Sequence, residues 1–479
     1  LTTRHFTVIT IIARHELRRA IRNRVLPVAV TSLTILLILA GLIASQTNEQ
    51  LNRQQTRYQQ DVRRNWIEQP DRHPHRASHY GYLAFRPRLS LAFFDFGIDS
   101  FAGNTIFLEA HRQNSVNFSE ANLSGSLRRA GELSPAMILQ LLVPLVIFFL
   151  GFAMITSERE NGTLQMLLSQ GVTPRQLLMG KTLAIAGMTL LLTLPGMALI
   201  LLSQSQLSGG LRDDLVWRSI CLVGGYGLYL LICALIAIIA SSIRSTSRDS
   251  LILLTICWIV FCLILPRGLQ TLGATLSPNP VRAEFDARLE DELAREGDSH
   301  DPDDPHFRTL REETLRQYNV ASINELPFNY GAYVMLEAEK ISSGIFQRHY
   351  NELLGTFTRQ NRFAEWATLI DPYLAIRSLS MAIAGTDLGH YSRYQQQAEN
   401  FRYTMIQKLN RIHLEEIRYE NDRAQRVNRE RWQDFPDFKY EPPGFREVIT
   451  GQWRAILSLS IWSLILLFVV TRLRPEVAK

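Results

Sequence analysis

A chain of 479 residues has room for more than one domain, and its formal charge of +6 would by itself suit a nucleic-acid binder. The distribution of residues removes that reading. Apolar residues collect in blocks of about twenty, the length that crosses a bilayer, and arginines gather beside those blocks as in proteins that keep positive loops inside. No nucleic-acid partner is expected. The four cysteines, Cys221, Cys233, Cys257 and Cys262, all lie within apolar blocks without CxxC or Cys/His metal spacing. They read as small buried hydrophobes, and no disulfide is expected in the polar regions.

The chain opens on an amphipathic stretch, 6–23, in which Val8, Ile11, Ile12 and Leu17 alternate at helical spacing with His15, Arg18, Arg19 and Arg22. Such a basic helix before a span lies along the membrane surface against lipid, giving an elbow over residues 1–24. The first apolar block, 25–45, is too long for a cleavable leader and lacks a small-residue cleavage site after it. Further blocks follow at 136–156, 182–203, 217–241, 251–272 and 453–471. None has a charge near its centre, where each would cost about 2.5–3.5 kcal/mol. Pro144, Pro195 and Pro266 are tolerable in spanning helices.

The stretch 366–386 is also apolar but is interrupted by Asp371, Pro372 and Arg377. It reads as a buried or membrane-skimming helix rather than a seventh span. Arg4, Arg14, Arg18, Arg19, Arg22 and Arg24 against the single Glu16 place the N-terminus in the cytoplasm. Arg244 and Arg248 in the loop 241–250, and Arg472, Arg474 and Lys479 in the tail 472–479, fall on the same side. The expected fold is an all-α polytopic membrane protein with six transmembrane helices, N-in and C-in.

Two polar insertions, 46–133 and 273–451, then face outward and are expected to pack as one helical external domain. The run 46–68 should continue the first span into solvent. Spaced charge pairs predict a helix over 283–296, and spaced apolar residues a long polar helix over 394–432, before Pro436–Pro443 resets the chain. Their many aromatics argue against disorder.

Between the second and third spans, over 157–181, the chain reads Ser157-Glu158-Arg159-Glu160-Asn161-Gly162-Thr163-Leu164-Gln165-Met166-Leu167-Leu168-Ser169, then passes Gly171, Pro174 and Arg175 to reach Gly180-Lys181. Gly162 allows a sharp turn, Thr163 suits an N-cap, and Pro174 starts the next helix. Leu164, Leu167 and Leu168 share one helical face at i, i+3 and i+4. A short amphipathic helix below the membrane is expected, its leucine face exposed until a soluble partner covers it.

This segment closely resembles the pattern of ABC-2-type transporter permeases: an acidic-basic pair, Gly-Thr-Leu, a leucine-rich helix, a polar-Pro-Arg turn, and Gly-Lys opening the next span. Gln165 departs from it where an acidic residue is common, and Gly171 where proline is common. The stretch from Asp371-Pro372 through Ser378-Leu379-Ser380-Met381 to Ala384-Gly385-Thr386-Asp387 looks like an uncharacterised ABC-2 branch with a large external insert. The resemblance implies a bacterial inner-membrane export subunit that pairs with a second permease chain and docks an ABC ATPase subunit through this loop. The coupling residues it implies are Glu158, Arg159, Gly162, Thr163, Leu164, Leu167, Leu168 and Lys181. ATP and Mg²⁺ would sit on the partner, with no cofactor in this chain.

Other motifs imitate chemistry. Gly180-Lys181-Thr182 ends like a phosphate-binding loop, but Arg175 stands where that loop needs glycine. Leu207-Ser208-Gly209-Gly210 imitates an ABC signature in a short outer loop and reads as a turn. His73, His75 and His79 near Asp71, and the acidic run 298–306 with His300 and His306, have metal-capable side chains but read as solvated loops. His15-Glu16 is followed by Arg19 where a zinc protease has its second histidine, and no GxSxG occurs. Three readings stay open: a permease powered by a separate ATPase, a non-transporting element that passes ATPase motion to an external partner, and a membrane-bound enzyme. The third lacks a convergent catalytic set, so no catalytic or metal-binding residue is assigned.

Overall fold

In the computed structural model, helices form at all six places where apolar runs are long enough to cross a bilayer. These spans 1 to 6 are Val25–Ile67, Pro135–Glu160, Pro174–Leu202, Asp213–Ile243, Ser247–Leu276 and Trp453–Arg472. The structure describes residues 2–114, 133–202, 210–297, 299, 301 and 304–474. Leu207, Ser208 and Gly209, four residues of the acidic run (Asp298, His300, Pro302, Asp303) and Lys479 lie outside the described residues. The chain is a multi-pass membrane protein, nearly all helical among the described residues, with one two-stranded hairpin, Tyr82–Phe85 against Thr105–Leu108.

A bilayer offers no water to unpaired backbone groups, so each proline in a span exposes a carbonyl that another residue must satisfy. Pro144 leaves the Gln140 carbonyl, four residues back, without its helical donor. Here span 2 widens into a π-turn over Ile138–Leu142. The Tyr229 hydroxyl of span 4 donates to the Gln140 carbonyl at 2.8 Å, and Trp258 Nε1 of span 5 donates to the Leu141 carbonyl at 3.1 Å. Span 5 has the same device, a π-turn over Val260–Ile264 just before Pro266. The break at Pro144 is thereby turned into a packing point among spans 2, 4 and 5.

The stretch 366–386 does not form one span-length helix. The long helix Tyr330–Ala367 ends there, and Asp371 caps a new helix, Pro372–Ala384, by accepting from the Tyr373 and Leu374 amides at 2.8 and 3.4 Å. Thirteen residues rise about 20 Å, short of the hydrocarbon core. Of the two expected readings, buried is the one observed: Ala375, Ile376, Leu379 and Ile383 are packed out of solvent, and the helix lies against spans 4 and 6. A buried polar chain fixes it there. The Ser380 hydroxyl donates to Asp95 at 2.5 Å and lies 3.0 Å from the Tyr226 hydroxyl, which accepts from Gln140 Nε2 at 2.8 Å.

Span 1 runs unbroken for 43 residues, so its polar second half enters a polar domain as the sequence predicts. The two insertions join there through Trp66, whose indole donates to the Trp432 carbonyl at 3.1 Å, while the Trp432 indole donates to the Pro70 carbonyl at 3.2 Å. Helices Arg282–Arg295, Tyr330–Ala367 and Leu388–Glu416 form much of the domain's body. The helix expected over 394–432 stops at Glu416. Beyond it, Asp422 accepts from Asn329 and pairs with His413, and Gln425 bonds both the amide and the carbonyl of Arg418. These polar side chains compete with helical hydrogen bonds, and the segment instead carries Trp432 into the domain core.

Candidate coupling site

At the end of the bundle opposite the polar domain, the amphipathic helix Thr2–Arg22 turns into span 1 through Arg24, whose backbone is left-handed at φ 60°. This elbow leaves Phe6, Ile11 and Ile21 exposed, and it packs directly on span 3. Gly180 permits the approach, because a Cβ there would fall 2.7 Å from Ile12 Cβ and 3.0 Å from the Ile9 carbonyl oxygen.

The next residue, Lys181, is wholly buried, and its ammonium donates three hydrogen bonds. They reach Glu16 Oε1 on the elbow at 2.8 Å, Glu158 Oε1 at 2.7 Å and the Met154 carbonyl of span 2 at 2.6 Å. An ammonium has three donors, so the buried charge is fully satisfied. Spans 2 and 3, the elbow and the loop therefore meet at one ion cluster.

Residues 159 and 160 make a second junction, to spans 4 and 5. The Arg159 guanidinium donates to the Ser242 carbonyl at 2.8 Å and to the Arg244 carbonyl, at the C-terminal end of the span 4 helix. Glu160 accepts from the Ser247 amide at 2.7 Å and from its hydroxyl at 2.6 Å, at the start of span 5. A cation on one helix C-terminus and a carboxylate on the next N-terminus both complement the helix dipoles. Ser241 Oγ accepts from the Ile155 amide at 2.8 Å and closes the junction.

The loop's own helix spans Thr163–Ser169, and two expectations for it need correction. Gly162, at φ 72°, holds the cap position and makes the sharp turn. Thr163 is the first helical residue, and its hydroxyl donates back to the Glu158 carbonyl at 3.2 Å instead of capping the helix. The leucine face also points the other way. Leu164 is buried in the bundle's own core, with Leu167 and Leu168 half-buried against it. Seven residues hung between two spans fold back under the bundle, and the nearest apolar surface is intramolecular. Gln165 and Met166 are exposed instead, Met166 by 59%. Thr173 and Gln176 then form a reciprocal capping box around Pro174, with each side chain accepting from the other's amide, at 3.2 and 2.9 Å.

The structure thus brings Glu158, Arg159 and Lys181 into the junction and places Gly162, Thr163 and Leu164 in the turn and helix below it. Sequence reasoning passed over Glu16 and Glu160. Glu16 is the only acid in an arginine-rich elbow, and that isolation was the available signal. Lys181, which imitates a phosphate-binding lysine, is committed to two carboxylates. The histidines near Asp71 divide: His73 gathers with His413 and Asp422, while His75 and His79 gather with His111. Asp71 joins neither group and accepts from the Arg429 amide at 2.9 Å.

Two known protein families match parts of the chain. Residues 282–441, most of the second insertion, match a domain of unknown function, DUF3526. A search of curated proteins found no match. Residues 104–270, which contain spans 2 to 4, the loop just described and most of span 5, match the model of the ABC-2 family transporter proteins. Over that region the chain is similar to the ABC-2 family transporter proteins.

Proposed function

We propose that this chain is the permease subunit of a bacterial inner-membrane ABC exporter, driven by ATP hydrolysis on a separate ATPase subunit. In this reading the ATPase and its ATP and Mg²⁺ sit at the loop 157–173, a second permease chain completes the membrane unit, and both termini lie in the cytoplasm. The observation that carries the reading is the double junction around the loop. Lys181 ties it to the elbow and to spans 2 and 3, and Arg159 with Glu160 ties it to the ends of spans 4 and 5. A displacement of the loop is therefore delivered to four spans at once.

A photo-crosslinking amino acid at Met166, in native membranes, tests the docking. The expected adduct contains an ABC ATPase, identified by mass spectrometry; adducts without one would reject the loop as the docking element. The purified chain alone should neither bind nor hydrolyse ATP. Reporter fusions after Asp61 and Asp422 should read external, and fusions after Gln170 and Lys479 cytoplasmic.

One observation favours a second reading, in which ATPase motion does mechanical work on an external partner. Span 1 and its extension form a single helix of 43 residues, about 65 Å long, that leads from the elbow into the polar domain. A stiff element of that length carries a tilt at one end to the other. Substrate-independent ATPase activity together with ATP-dependent protease protection of the polar domain would support this reading over transport.

A further inference from the structure

We propose that His75, His79 and His111 form a binding site for a borderline divalent cation such as Zn²⁺ in the polar domain. The three side chains offer ligand atoms that all lie within 4.8 Å of one another. His75 and His79 stand four apart across the helical turn Pro74–Ser78 and its C-cap, a spacing that puts two imidazoles on one face. His111 comes from the turn after the hairpin. The Ala110 amide donates to the Ser78 carbonyl at 3.3 Å and fastens that turn against the histidine helix.

The environment of His111 is that of a metal ligand. Its backbone is left-handed at φ 62°, a conformation L-residues seldom adopt, and its amide donates to Glu339 Oε2 at 2.9 Å. Its Nδ1 lies 3.4 Å from the same carboxylate oxygen, which assigns Nε2 to the metal. A carboxylate behind an imidazole fixes the tautomer and raises its basicity, the usual support for a histidine ligand. Glu339 is itself buried and held by Arg402 at 2.6 Å. Arg402 also pairs with Glu399, so this cluster of one cation and two carboxylates leaves a net negative charge behind the histidines.

Three neutral imidazoles with nitrogen bonds of about 2.0–2.1 Å match zinc's preference, and the fourth position stays open for water or another ligand. Tetrahedral ligands at that bond length stand about 3.4 Å apart, so no pair of ligand atoms within 4.8 Å needs to close by more than about 1.4 Å on loading. Small rotations suffice, because His79 is exposed and His75 and His111 are only part-buried.

The test uses the full-length chain in detergent, tag-free and stripped with a chelator. Calorimetric titration with ZnCl₂ should show one tight equivalent, and CoCl₂ should give the intense visible bands of a tetrahedral site. H79A alters an exposed side chain and should keep the fold while losing roughly 10–100-fold in affinity along with the cobalt bands. H75A should behave alike, and H306A should bind as wild type. E339Q should weaken binding while all three ligands remain. Absence of stoichiometric Zn²⁺ binding by the wild-type chain, or wild-type affinity in both H75A and H79A, would overturn the assignment.

Discussion

Lys181 Nζ and Glu158 Oε1 lie 2.7 Å apart, with the lysine side chain entirely out of solvent and Glu16 on its other side. Removing one partner of a buried ion cluster leaves the others uncompensated and costs about 3–5 kcal/mol. Lys181→Ala leaves two carboxylates facing a void, so it should destabilise by that order and release the elbow. Faster tryptic cleavage at Arg18, Arg19 and Arg22, together with a lower melting temperature in detergent, would record it. The triple variant K181M/E16Q/E158Q leaves no unpaired charge and should recover much of the loss. Wild-type melting and elbow protection in K181A would show that the cluster does not hold the loop.

The orientation of the loop helix separates its residues by role. Leu164→Asp places a carboxylate in the bundle core and should prevent accumulation of folded protein. Paired aspartates at Leu167 and Leu168 should also cost stability, since both leucines are half-buried. Met166→Asp changes an exposed side chain and should leave yield and melting unchanged. If the loop docks an ATPase, Met166→Asp lowers copurification of that subunit. Normal copurification and activity in M166D, with L164D also folding normally, would contradict this orientation.

The six spans were legible because hydrocarbon thickness imposes a length that the sequence must meet, whatever the packing. Gly162 and Pro174 were legible because turn and helix-start chemistry is local. The direction of Leu164 was not, since a periodic apolar face does not say which surface covers it. Nor was the pairing of Lys181 with Glu16, 165 positions apart in the chain, or the service of Tyr229 and Trp258 to carbonyls near Pro144. The helix expected to reach residue 432 overran because its periodicity continues past Glu416, while the bonds of Asp422 and Gln425 belong to tertiary structure.

The Trp66–Trp432 contact joins insertions more than 300 residues apart, and both indoles are fully buried. Trp432→Ala should cost about 3–5 kcal/mol, as large aromatic deletions in cores do. The loss should stay within the polar domain, because these residues form a core separate from the bundle's. Limited proteolysis should open 417–444 first, with the spans still protected. Simultaneous loss of protection in the bundle would show that the two cores unfold together.

Asp387 supplies a pH-dependent term to the same domain. It is the N-cap of the helix Leu388–Glu416, accepting from the His390 amide at 3.1 Å, and its Oδ1 lies 2.5 Å from His390 Nδ1. Burial pushes its pKa up, but the hydrogen bond and charge of His390 outweigh it and hold the carboxyl below its ordinary 3.8. A carboxylate depressed in the folded state contributes stability above the unfolded pKa and loses it as pH falls through the folded value. Asp387→Asn should therefore melt below wild type above about pH 4, and the margin should shrink in more acid buffer. Asp387→Ala also removes the cap acceptor and should cost about 1 kcal/mol, with faster amide exchange at residues 388–391. A margin that does not change below pH 4 would mean that the charge of Asp387 contributes nothing and that the cap acts as a neutral acceptor.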